Sequence, residues 1–160
     1  MTKKEIKIIY QEYDNINNDL PLNTKLLLEK AEQNLNNAYA PYSKFNVSSA
    51  IKLKNGTIVL GTNQENAAYP SGICAERVAI FYAGANFPNE IIEEIAIVTA
   101  TSNPTPFSPC GACRQVLLEY EYKQKQPIKV VMKSGQSKIW CFNNINDLLP
   151  FAFDGSGLEK

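Results

Sequence analysis

Apolar residues recur at helical spacing through Leu27, Ala31, Leu35 and Ala38. This predicts an amphipathic helix capped by Asn23 or Thr24 and ended before Pro41. Phe45, Val47, Ser49, Ile51 and Leu53 then alternate with polar neighbours, and the Asn55-Gly56 pair predicts a tight hairpin into the strand "TIVLG". After the start signals Ser71 and Gly72, the stripe Val78, Phe81, Tyr82, Ala85 predicts a second helix with that face in the core. The uninterrupted run "EIAIVTA" suits a central strand covered on both faces. A proline-rich loop leads to "CGACRQVLLEYEYKQ", helical through Val116, Leu117 and Tyr120. Two strands, "IKVVMK" and "SKIWCFN", follow around a Ser134-Gly135 turn, and "INDLLPFAF" closes as a short helix. Strands interleaved with helices predict an α/β layered domain around one mixed sheet. Ahead of it, "IKIIYQEY" alternates like a strand and "DNINNDLPLN" reads as a polar connector. Residues 1–22 are therefore read as an N-terminal extension and 23–160 as one domain.

Composition narrows the chemistry. No apolar run approaches the roughly 18 residues of a membrane span, and the first residues are too polar for a secretory leader, so a soluble, cytoplasmic protein is expected. Sixteen basic and sixteen acidic residues cancel, which leaves no electrostatic footprint for nucleic acid or an anionic membrane and favours a small neutral substrate. There is no histidine, which excludes histidine triads, histidine general bases and histidine metal sites together. Any metal must be held by thiolate or carboxylate, and the chain has four cysteines: Cys74, Cys110, Cys113 and Cys141.

Cys110 and Cys113 open a helix at the spacing with which two thiolates grip one zinc ion, but a lone C-x-x-C also suits a structural zinc half-site or a redox pair. Cys74 and Glu76 stand at the head of the other helix, where the ordinary reading is a buried thiol beside a carboxylate that complements the helix dipole. Together, "CAE" and "PCGAC" point further: three cysteines leave one tetrahedral position for water, and a nearby glutamate supplies the proton carrier such water needs. Zinc deaminases combine these parts, with a glutamate that is not a ligand. Cys141 lies within a strand pattern, where a bystander thiol is usual, although it offers a fourth ligand if the site is closed.

Three ordered stretches, "YAPYSKFNV", "NQENAAYPSGICAERVA" and "SPCGACRQV", resemble the cytidine deaminases of the small, homotetrameric, three-cysteine type, from about Lys25 to Phe153. The resemblance implies a three-layer αβα sandwich around a mixed five-stranded sheet. It implies zinc-dependent hydrolysis of cytidine and deoxycytidine to uridine and deoxyuridine in pyrimidine salvage, with one zinc per chain. It implies that Cys74, Cys110 and Cys113 hold the zinc, that Glu76 moves the protons, and that the Ala75 backbone meets the exocyclic amine. Phe45 would pack on the pyrimidine, and Asn63 and Glu65 would bind the ribose 3′-hydroxyl. Ala67, Tyr69 and Phe153 would serve a neighbouring subunit's site. Three thiolates on Zn²⁺ leave a net negative charge, for which Arg77 is the natural compensation. Two departures stand out: Ser48 and Ser49 replace the glycine and alanine common in relatives, with pocket polarity at stake, and residues 1–22 lie outside the match. Two other readings compete. One is a deaminase of another small cytosine compound, and the other is a zinc-stabilised binding module closed by all four cysteines.

Overall fold

In the computed structural model, which describes residues 1–14, 16, 19–155 and 158, the chain runs β1 (Gln11–Tyr13), α1 (Leu22–Asn34), β2 (Val47–Leu53), β3 (Ile58–Thr62), α2 (Ala75–Asn86), β4 (Ile92–Thr99), α3 (Gly111–Gln124), β5 (Lys129–Ser134) and β6 (Ile139–Phe142). The predicted hairpin joins β2 to β3, and Gly56 takes the positive φ of 88° that its turn needs. Sheet order is β1-β6-β5-β4-β2-β3, with β4 and β5 parallel and the other pairs antiparallel. One face packs on α2 and α3 through Ile51, Ile80, Ile95, Leu117 and Met132. The other packs on α1 through Leu27, Leu28, Ala31, Ala96 and Val98. The αβα layering is as expected, and both faces of β4 are covered, as its unbroken apolar run requires. Among the described residues, no helix is long and apolar enough to cross a membrane.

The sheet has six strands rather than five, because the end of "IKIIYQEY" pairs Gln11, Glu12 and Tyr13 with Cys141, Trp140 and Ile139 of β6. Tyr10 closes this edge, its ring 5.1 Å from that of Trp140 and 5.2 Å from that of Phe142. Glu12 accepts hydrogen bonds from the Trp140 indole (2.8 Å) and from Lys138 (2.5 Å).

Two helix expectations are corrected. Neither Asn23 nor Thr24 caps α1, which starts at Leu22 after Pro21. Thr24 is buried, and its hydroxyl donates to Glu94 (2.7 Å) and accepts from Lys129 (3.0 Å), which also pairs with Glu94 at 3.2 Å. A polar group that fills a buried network is not available as a cap. In α2 the core face is Ala75, Ala79, Ile80 and Ala83, whereas Phe81, Tyr82 and Ala85 of the expected stripe are exposed and Val78 is half-buried. The reason is the close approach of β3: a Cβ on Gly61 would lie 2.5 Å from the Ala79 nitrogen and 2.6 Å from the Ala75 oxygen. Only small side chains fit beneath that crossing. The closing helix is a single 3₁₀ turn, Asn146–Leu148.

Removing residues 1–13 should uncover Trp140 and leave the sheet and the cysteine cluster standing. The chain's only tryptophan then reports the loss as a red shift in emission. The melting temperature should fall by several degrees, at roughly 2–4 °C per kcal/mol lost. Unchanged emission and melting would show that the strand contributes nothing.

Candidate active site

Packing sets the site. Gly61 lets α2 sit directly on β3, which fixes where the helix begins, and Cys74 is its N-cap in extended conformation (φ −76°, ψ 154°). Cys110 caps α3 in the same way (φ −64°, ψ 164°), and Cys113 is fully buried in the first turn. The two caps bring the Cys74 and Cys110 Sγ atoms to 4.0 Å, and all three sulfurs lie within 4.8 Å of one another. A tetrahedral zinc site with bonds of about 2.3 Å separates its sulfurs by about 3.8 Å, so the trio fits a metal with little adjustment. Cys141 is not part of this group. It sits in β6, buried between Val131 and Gln11 in register, where burial pushes its thiol up to about 11. The closed four-thiolate module is therefore ruled out.

Electrostatics favour the thiolate at Cys74. The Cys74 thiol falls to about 5, first because Cys113 hydrogen-bonds to it and then because of Arg77, whose Nη2 donates to Cys74 Sγ at 3.5 Å. Cys113 moves the opposite way, as the proton-bearing partner and through burial. Arg77 is raised by the same contact with Cys74, and its Nε is buried without a partner among the described residues. A half-buried guanidinium of this kind is the compensation that a thiolate-rich, net-negative metal centre needs. Glu76 is 4% exposed, and burial, with a contribution from Cys74, raises its carboxyl above the usual range. Held there, it is suited to carry a proton rather than a charge.

A cleft of about 940 Å³ opens over these groups, and Cys74, Ala75, Glu76, Arg77 and Cys110 form its base. Segment 63–65 is stitched across its rim: Gln64 exchanges 2.9 Å backbone bonds with Ile73, while Tyr39 donates to Asn63 (3.0 Å) and Glu65 donates to Tyr39 (2.8 Å). This places Asn63 and Glu65 beside the cysteines, and Phe45, Ala67 and Tyr69 also line the cleft. Asn63 holds the entry to β2, accepting from the Val47 nitrogen and donating to the Phe45 oxygen, each at 2.8 Å. One oxygen of Glu65 accepts from the backbone nitrogens of Tyr42 (2.9 Å) and Ser43 (3.2 Å). The hydrogen bond of the Ser43 hydroxyl, and then these backbone bonds, hold its carboxyl below the usual range. Phe153 lies outside this chain's cleft, 70% exposed, its carbonyl accepting from Gln115 at 2.8 Å.

Ser48 and Ser49 leave the cleft's polarity untouched. Ser48 bonds Asn34 (3.2 Å) and the Gly61 carbonyl (3.4 Å), and Ser49 donates to the Ala96 carbonyl (3.2 Å). Phe107 is among the cleft residues that the sequence reading did not place in the site, together with Tyr42, Val47, Gln64 and Ile97. Its only signal was an aromatic side chain three residues before Cys110 in a loop that otherwise reads as proline-rich connector.

A three-layer αβα fold that gathers three thiols at two helix starts beside a buried carboxyl defines a metal-dependent hydrolase of the nucleobase deaminase class. Comparison with known proteins agrees. Residues 22–127 match the cytidine and deoxycytidylate deaminase zinc-binding region. A cytidine deaminase of Halalkalibacterium halodurans is 38% identical over 86% of this chain and 99% of its own length, and one of Sporosarcina psychrophila is 40% identical over 86% and 96%. The crystal structure of cytidine deaminase from Burkholderia pseudomallei superposes with a TM-score of 0.71 at 38% identity, covering 81% of this chain and 98% of that one. The chain belongs to the cytidine and deoxycytidylate deaminase family, and its metal is zinc.

About one zinc ion per chain should copurify with the protein. Metal analysis should find that content unchanged in Cys141→Ser and lost in Cys110→Ser. Equal zinc in both variants would remove Cys110 from the site.

Proposed function

We propose that the protein hydrolyses cytidine and deoxycytidine to uridine and deoxyuridine with release of ammonia, a reaction of pyrimidine salvage in the cytoplasm. The observation that carries this reading is the buried Glu76 carboxyl, in the cleft and two residues from a sulfur cluster that fits zinc. Cys74, Cys110 and Cys113 hold the metal, which when bound supplies the Lewis acidity that lets water add to C4 of the cytosine ring. Arg77 offsets the surplus negative charge of the thiolates. Glu76 takes a proton from the attacking water and delivers it to ring N3, then takes the proton of the new C4 hydroxyl and passes it to the amine, so that the C4–N bond breaks, ammonia leaves and the carbonyl of uracil remains. The Ala75 backbone faces the exocyclic amine, Phe45 packs against the ring, and Asn63 with Glu65 receives the ribose 3′-hydroxyl. The hydrogen bonds already made by both groups support this last role, because they hold each side chain in place before substrate arrives.

Purified protein given cytidine should produce uridine and ammonia in equal amounts. Glu76→Gln should keep its zinc and lower kcat by roughly 10²–10⁴, since an amide cannot carry the proton. A variant with most of its activity would overturn the assignment.

The active unit in this reading is a homotetramer in which Ala67, Tyr69 and Phe153 complete a neighbour's site. Supporting it, Tyr69 is 91% exposed at the cleft mouth, and the outward face of α2 presents Phe81 and Tyr82 to solvent. Apolar surface of that kind is ordinarily covered by a second copy in a closed assembly. Light scattering should give four chains per particle, and Phe153→Ala should raise KM with zinc retained. A fully active monomer across a dilution series would exclude shared sites.

A further inference from the structure

On the reading that this cleft takes a cytosine nucleoside, we propose that Phe107 is a further substrate-binding residue. It forms with Phe45 the apolar corner that holds the pyrimidine ring. The two rings meet edge to face, centroids 5.1 Å apart and planes at 87°, and both line the cleft. A perpendicular aromatic pair offers a flat guest one face to stack on and one edge to abut. Phe45 alone supplies only the first.

The loop that carries Phe107 is built to hold it still. Its backbone N–H donates to the buried Ser134 hydroxyl at 2.8 Å, which ties the loop to the end of β5. On the other side, Arg114 of α3 donates to the Ser108 hydroxyl (2.7 Å) and to the Pro109 carbonyl (2.8 Å). Prolines at 104, 106 and 109 remove backbone freedom from the same stretch. Three residues on, Cys110 belongs to the sulfur cluster. Aromatic wall and metal ligand therefore share one fixed loop, so that the ring's distance from the reacting centre is set by covalent geometry as well as by packing. Phe107 meets the Phe45 ring and the Ser134 hydroxyl, and its phenyl ring has no proton to give or take. Its effect falls on binding of the ring, substrate and product alike, rather than on the chemical step.

The experiment compares the wild-type enzyme with Phe107→Ala and Phe107→Tyr. KM for cytidine and the inhibition constant of uridine should rise together in Phe107→Ala, by roughly three- to tenfold for loss of one aromatic pair. Its kcat should stay within about twofold and its zinc content should not change, because a mutation that removes ground-state and transition-state binding equally moves KM alone. Phe107→Tyr, which keeps the ring, should restore both constants. Unchanged KM and uridine inhibition in Phe107→Ala, or a fall in kcat at constant KM, would overturn the role of Phe107 while leaving the deaminase reading intact. If wild-type protein turns over no cytidine, the functional reading fails instead. Calorimetric titration with uridine then still decides the corner: weaker binding to Phe107→Ala supports it, and equal or absent binding to both proteins overturns it.

Discussion

Two helices must begin within a few ångströms of each other for three sulfurs to share one ion, and the contact between β3 and α2 makes that possible. Gly61 has no side chain because the Ala75 oxygen and the Ala79 nitrogen occupy the space a Cβ would need. With α2 seated so low on the sheet, Cys74 projects toward the start of α3 rather than over it, and Glu76 is carried below the surface. The helix faces follow from the same contact. Ala75, Ala79 and Ala83 line the inner side of α2 beside Ile80, and Phe81 and Tyr82 are left outside.

Burial of Glu76 disfavours its charged form, and the fold places it beside a thiol that is shifted the other way. Cys74 sits well below an ordinary thiol while Glu76 sits above an ordinary carboxyl, although only one residue separates them in the chain. The difference is one of surroundings. Cys74 receives the hydrogen bonds of Cys113 and Arg77, whereas Glu76 is enclosed by the packed interior. The ordinary gap between thiol and carboxyl is thereby narrowed, and groups perturbed in this way cluster where protons are transferred.

Much of this was legible in the sequence. Turn chemistry at Asn55-Gly56, the unbroken run of β4 and the paired cysteine motifs are local signals, and each survives folding because nothing nonlocal opposes it. The features that were not legible depend on partners far along the chain. Thr24 looks like a helix cap until Glu94 and Lys129 claim its hydroxyl. Phe81 and Tyr82 look like core until β3 approaches too closely to admit them. Phe107 looks like part of a connector until Phe45 and Ser134 meet it from two other elements. Ser48 and Ser49, which hinted at a more polar pocket, turn their hydroxyls to backbone carbonyls of β3 and β4.

The sixth strand has a consequence for life in a crowded solution. Without it the sheet would end on Ile139–Phe142, an uncharged run of Ile, Trp, Cys and Phe with open hydrogen-bonding groups, the kind of edge that recruits strands from other chains. Gln11–Tyr13 occupies that edge and replaces it with one only three residues long, whose central Glu12 is tied to Lys138 and Trp140. β1 acts as a selvedge: it finishes the sheet where it would otherwise fray into its neighbours.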